Sequence, residues 1–130
     1  MAPKHTRSPF GHAIGLGSAK EGVEHWWRER VTAVALVPLT LWWIACIIAH
    51  SGADYAVSTS WLRMPLTALL MVMMLIALFY HAALGLQVII EDYIHSAAKL
   101  PAILLIRFTC FGLAAAGILA VLRIALGSFR

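Results

Sequence analysis

The sequence predicts an all-α integral membrane protein: three transmembrane helices preceded by a polar cytoplasmic leader. Three observations carry this expectation. Apolar residues make up 62% of the 130-residue chain and charged residues only 12%, against a soluble norm of roughly 45–50% and about 25%. The mean hydropathy is +0.84. The apolar residues also gather into three runs, each near the ~20 residues that a helix needs to cross a bilayer. Strands are excluded from these runs, because an open strand in hydrocarbon leaves its backbone polar groups unpaired.

The leader spans residues 1–30 and is polar. Its first 22 residues contain Gly, Ser and Pro and read as an extended segment lying over the cytoplasmic surface or a partner. The first apolar run begins only at Val31, too late for a compact cleavable signal, so the first span is expected to stay in the mature protein. Gly15-Leu16-Gly17-Ser18-Ala19-Lys20 faintly resembles a phosphate loop. It follows no strand and lacks the GK[ST] ending, so nucleotide binding is not expected.

The first span covers about 31–49 and carries Pro38, which predicts a bend. The second covers about 65–90 and opens on Pro65, a residue suited to a first helical turn. The third covers about 102–126, just after Pro101. No internal repeat is visible.

Orientation follows from Lys and Arg. Lys4, Arg7, Lys20, Arg28 and Arg30 precede the first span, whereas the loop at 50–64 holds only Arg63. The leader is therefore expected in the cytoplasm, with the 50–64 loop outside, the 91–100 loop inside and the C-terminus periplasmic. Arg107 lies one to two turns into the third span and can snorkel back, while Arg123 and Arg130 run against the rule. Trp26, Trp27, Trp42, Trp43 and Trp61 fit interfacial belts, although Trp42 and Trp43 can also pack inside the bundle. The net charge of +4 forms no basic patch interleaved with aromatics, so nucleic acid is not an expected partner. Cys46 and Cys110 sit in apolar runs without CxxC spacing and read as small buried hydrophobes.

Few residues in the spans can do chemistry. Arg107 and Arg123 lie near helix ends, and His50 lies at an interface. His81 differs: it is about ten residues from the cytoplasmic end of the second span, roughly 15 Å down. An ionisable residue at that depth marks a functional site by default. At about 100° per residue, Gly85 falls within about 40° of His81 and Asp92 within about 20°. A small residue one turn from a histidine leaves room for a flat macrocycle, and imidazole is an ordinary haem-iron ligand. A histidine hydrogen-bonded to a neighbouring helix, with Gly85 as a packing notch, fits the same residues.

At the end of the second span stand Gln87, Glu91, Asp92, Tyr93 and His95. Carboxylates and histidine relay protons and a phenol donates to a carbonyl oxygen, so this cluster can serve a reducible headgroup. An ordinary hydrophilic loop is the competing reading. The two carboxylates oppose the dipole of a helix C-terminus, which suggests pairing with Arg28, Arg30 or a partner. Met71, Met73 and Met74 read as core packing rather than axial ligands.

The string from His81 to Tyr93 resembles the second-helix motif of the smaller hydrophobic anchor, the D chain, of succinate dehydrogenase. That motif is a His, a Gly four residues on, a Gln two further, and an Asp-Tyr pair eleven and twelve residues after the His; His81, Gly85, Gln87, Asp92 and Tyr93 match it. The stretch Gly15–Gly22, with His25-Trp26-Trp27 and Arg30-Val31-Thr32-Ala33, is similar to the alphaproteobacterial branch. The resemblance covers about 115 residues in one three-helix plan.

The resemblance implies that His81 is one axial ligand of a b-type haem, the second coming from the other hydrophobic anchor, the C chain. It implies that Tyr93 and Asp92 serve ubiquinone and that Arg30 lies near haem and quinone, with Gly85 on the haem approach. A flavoprotein subunit would oxidise succinate and an iron–sulfur subunit would pass electrons onward. This chain would bind no succinate; it would sit in the bacterial cytoplasmic membrane among lipid. A di-haem anchor would need four deep histidines, and only His81 is deep. A transporter subunit would show inverted repeats and broken helices, at which only Pro38 hints.

Overall fold

The structure is a computed structural model that describes residues 19–127. Four helices follow in order: α1 (Ala19–Ala49), α2 (Tyr55–Leu62), α3 (Pro65–Tyr93) and α4 (Lys99–Leu126). The described residues contain no strand, as the hydropathy demands. Three of the helices are long and apolar enough to cross a membrane: Gly22–Ala49, Pro65–Tyr93 and Lys99–Leu126. At 1.5 Å per residue, 28 residues reach about 42 Å, beyond the ~30 Å hydrocarbon layer. Each helix therefore projects into the headgroup zones.

α1 starts well before the apolar run. Residues 19–30 are rich in Glu and Arg, which favour helix, and Glu24 pairs with Arg28 one turn on. Residues 19–22 are thus helical rather than extended, and the leader reading for residues 1–18 falls outside the described residues. α1 continues unbroken through Pro38.

The 50–64 connection, read as a loop, contains the eight-residue α2. Trp61 of α2 lies 6.2 Å, centroid to centroid, from both Trp42 and Trp43, and the His50 ring lies tilted against it at 4.5 Å. Of the two readings for Trp42 and Trp43, this cluster supports packing. Their rings hold α2 against the end of α1, and aromatic pairs of this kind contribute about 0.5–1.5 kcal/mol beyond area burial.

α3 is the central helix. α1 packs on one side of it and α4 on the other, and the backbones of α1 and α4 do not meet. A Cβ on Gly117 would lie 3.1 Å from Leu75 Cδ1, so the missing side chain lets α4 close on α3. Cys110 is buried at this interface and Cys46 is half-buried; both are free thiols. An apolar cavity of about 250 Å³ opens between α3 and α4, lined by Phe79, Tyr80, Ala83, Cys110 and Phe111 among others. His81 is not part of its wall. No large side chain is fully buried among the described residues, and Leu105 and Phe108 are 69% and 74% exposed. Surfaces this apolar belong against lipid tails or partner helices.

Candidate functional site

α3 is continuous from Pro65 through Tyr93, so Glu91, Asp92 and Tyr93 form its last turn rather than a loop. The angular register between His81 and Asp92 is therefore set by one rigid element. His95 lies in the exposed connection beyond it.

His81 faces α1. Its Nδ1 is 3.0 Å from Thr32 Oγ1, and Thr32 Oγ1 also donates to the carbonyl oxygens of Arg28 and Glu29, both at 2.9 Å. His81 Nε2 makes no hydrogen bond. Among the described residues, the only buried side-chain nitrogen or oxygen without a partner is His25 Nε2, so His81 Nε2 is open at the molecular surface. The helix-to-helix hydrogen bond and the free ring nitrogen therefore coexist on one histidine, and the two readings of His81 are compatible.

Gly85 is also open. A Cβ built there meets nothing within 4 Å, so no contact among the described residues requires glycine. Glycine within a helix costs about 1 kcal/mol relative to alanine; the helical Gly22 and Gly112 are equally open.

The carboxylates do not pair with the α1 arginines. Arg28 is taken by Glu24 on its own helix, and Arg30 lies over the Trp26 ring, 5.4 Å from its centroid. Glu91 instead accepts a hydrogen bond from Gln87 Nε2 at 2.8 Å, and Gln87 Oε1 accepts one from Arg107 Nη2 at 2.7 Å. This chain of contacts stabilises the intramembrane Arg107 and ties α4 to α3. Asp92 and Tyr93 project outward, Tyr93 being 82% exposed, with no hydrogen bond to another described side chain.

His81, Gly85 and Asp92 thus share one face of α3, while Gln87 and Glu91 turn toward α4. Arg30 stands on α1, two residues before Thr32. The sequence reading had assigned Thr32 no role. Nothing in the sequence marked it: the apolar runs put Thr32 at the edge of the first span and His81 about 15 Å down the second, and only the earlier start of α1, at Ala19, brings the two level.

This plan is matched across nearly the whole chain by a family model, the succinate dehydrogenase/fumarate reductase transmembrane subunit, over residues 4–124. The chain belongs to that family. It is 36% identical over 107 residues to the succinate dehydrogenase hydrophobic membrane anchor subunit of Rickettsia bellii, covering 82% of this chain and 85% of that one. It is 30% identical over 121 residues to the protein of the same description in Paracoccus denitrificans, covering 93% and 94%. A succinate dehydrogenase membrane anchor subunit of Reclinomonas americana is 30% identical over 92 residues, covering 68% and 77%. No solved structure matches. The resemblance to the hydrophobic membrane anchor of succinate dehydrogenase, of alphaproteobacterial type, is borne out by these matches.

Proposed function

We propose that this chain is the D-type membrane anchor of a succinate dehydrogenase, carrying half of a b-type haem site and part of a ubiquinone-reduction site. One observation supports it above the rest: His81 presents an unengaged, open Nε2 beside the vacant face of Gly85. The residues fit a haem, because a neutral imidazole nitrogen is a normal axial donor and the glycine leaves a flat ring room to approach. A b-type haem held there supplies reversible one-electron iron chemistry. His81 would hold the haem iron through Nε2. The other described histidines are His25 and His95 toward the Tyr93 end and His50 at the opposite end, none on a span at the depth of His81. The second ligand is accordingly assigned to the partner anchor, the C chain.

Ubiquinone would be reduced at the Tyr93 end, which the basic residues place on the cytoplasmic side, with the C-terminus in the periplasm. The flavoprotein oxidises succinate to fumarate, and the iron–sulfur subunit delivers two electrons. The Tyr93 hydroxyl donates a hydrogen bond to a quinone carbonyl oxygen, and Asp92 on the same turn passes protons from water. Two electrons and two protons yield the quinol. Arg30, exposed on α1 over the Trp26 ring, is the residue we assign to the vicinity of haem and quinone.

The test is the reduced-minus-oxidised spectrum of the purified complex for wild type, His81→Ala, and Gln substitutions of His25, His50 and His95. The b-type signal should vanish or change severely in His81→Ala alone. An unchanged spectrum in that variant removes His81 as a ligand.

A further inference from the structure

We propose that Thr32 is the positioning residue for His81: its hydroxyl accepts a hydrogen bond from Nδ1–H, which fixes the imidazole tautomer and leaves the lone pair on Nε2. The proposal rests on the reading of His81 as a metal ligand and assigns the α1 residue that makes it one.

The hydrogen bookkeeping decides the direction of the bond. A threonine hydroxyl has one proton and two lone pairs, and a backbone carbonyl only accepts. Thr32 Oγ1 lies 2.9 Å from the Arg28 carbonyl oxygen and 2.9 Å from that of Glu29. Its single proton therefore points into that pair of oxygens. Were it turned to His81, two carbonyl oxygens would face hydroxyl lone pairs at 2.9 Å with no hydrogen between them. The remaining contact, 3.0 Å to His81 Nδ1, is then a hydrogen bond only if Nδ1 carries the proton. A neutral imidazole has one such proton, so Nε2 is the basic nitrogen, and Nε2 is the one that is open at the surface.

The arrangement is also stiff. Thr32 is β-branched with few side-chain rotamers in a helix, and its hydroxyl is gripped by the α1 backbone one turn earlier. His81 is on α3, so the α1–α3 packing sets the ring orientation. Metal-binding histidines characteristically donate their second N–H to a fixed acceptor, which sets the tautomer and raises the basicity of the ligating nitrogen. Removing the acceptor should therefore weaken coordination and reduce electron donation to ferric iron.

The experiment uses the assembled complex with wild type, Thr32→Val, Thr32→Ser and His81→Ala. It reads haem-to-flavin ratio, rate of haem transfer to an apoprotein acceptor, the low-spin ferric EPR spectrum and the haem midpoint potential. Thr32→Val preserves shape but removes the hydroxyl. It should release haem about ten- to hundredfold faster, the range for loss of such a partner, and shift the EPR g-values. It should also raise the potential, with ferrous haem favoured about threefold, which is about 28 mV at 59 mV per decade. Thr32→Ser keeps the hydroxyl and should restore all three readouts. Wild-type potential, EPR and haem release in Thr32→Val, with the signal lost in His81→Ala, would overturn the role of Thr32 and leave His81 as ligand. Equal loss of assembly in Thr32→Val and Thr32→Ser, without spectral change, would reduce Thr32 to a packing residue and also overturn it. A haem signal unchanged in His81→Ala would remove the underlying reading itself.

Discussion

His81 and Gly85 illustrate how little of a site needs to be unusual at the level of single residues. Neither is remarkable in composition. What matters is that one ring nitrogen of His81 is engaged by Thr32, while a Cβ on Gly85, one turn along, would meet no neighbouring group of the described residues within 4 Å. The emptiness at Gly85 makes a discriminating substitution available. Leucine is a good helix former, so Gly85→Leu should leave α3 intact or slightly stabilised, by up to about 1 kcal/mol. It should nevertheless lower haem content of the complex severalfold, because the side chain would occupy the approach to His81. Circular dichroism and the haem-to-flavin ratio measure the two effects separately. Full haem occupancy in this variant would show that nothing flat approaches Gly85. Gly85 and His81 were legible in the sequence through helical angle and depth. Thr32 was not, because a threonine in a span is ordinary until a specific neighbour on another helix is known.

Helix register explains why these residues converge. α3 runs through Tyr93, so the carboxylates and the phenol ride the same rigid rod as His81. The hydropathy-based end near residue 90 missed that last turn, since polarity and helicity need not change at the same residue. α1 likewise extends back to Ala19, where composition alone suggests an extended leader. α2 escaped the sequence reading altogether; it is too short for periodicity to report, and it is held by Trp61 against Trp42, Trp43 and His50. The α3–α4 contact depends on a missing side chain, and Gly117→Val tests it. A Cβ there would stand 3.1 Å from Leu75, and overpacking of this kind costs about 1–3 kcal/mol. The complex should unfold at lower temperature in detergent, with haem retained at low temperature because His81 faces α1 instead. A melting temperature equal to wild type would mean that Leu75 rotates away freely.

As a whole, the molecule is a surface in search of partners. Its three spans bury few of their residues against one another, and the backbones of α1 and α4 do not meet directly. Under the proposed function, an anchor with half a haem site and an exposed Tyr93 would work only within a larger assembly that divides succinate oxidation from quinone reduction. Tyr93→Phe probes that division. Losing one hydrogen bond of about 0.5–1.5 kcal/mol should slow succinate-to-quinone turnover about two- to tenfold. Succinate oxidation by a soluble artificial acceptor, which bypasses the membrane end, should stay near wild type. Equal losses in both assays would place Tyr93 in assembly rather than in quinone chemistry.

By itself the sequence determined the class of solvent, the three spans, the angular relation of His81 to Gly85 and Asp92, and the family. Each depends on composition or on the regular 3.6-residue turn, and both are local properties. Only the tertiary structure decided which helix His81 faces, that Thr32 meets its Nδ1, that Arg107 joins Gln87 and Glu91, and that Trp61 folds back on α1. Those outcomes depend on how neighbouring helices are rotated and offset. That is settled by packing between residues dozens of positions apart, which no local period encodes.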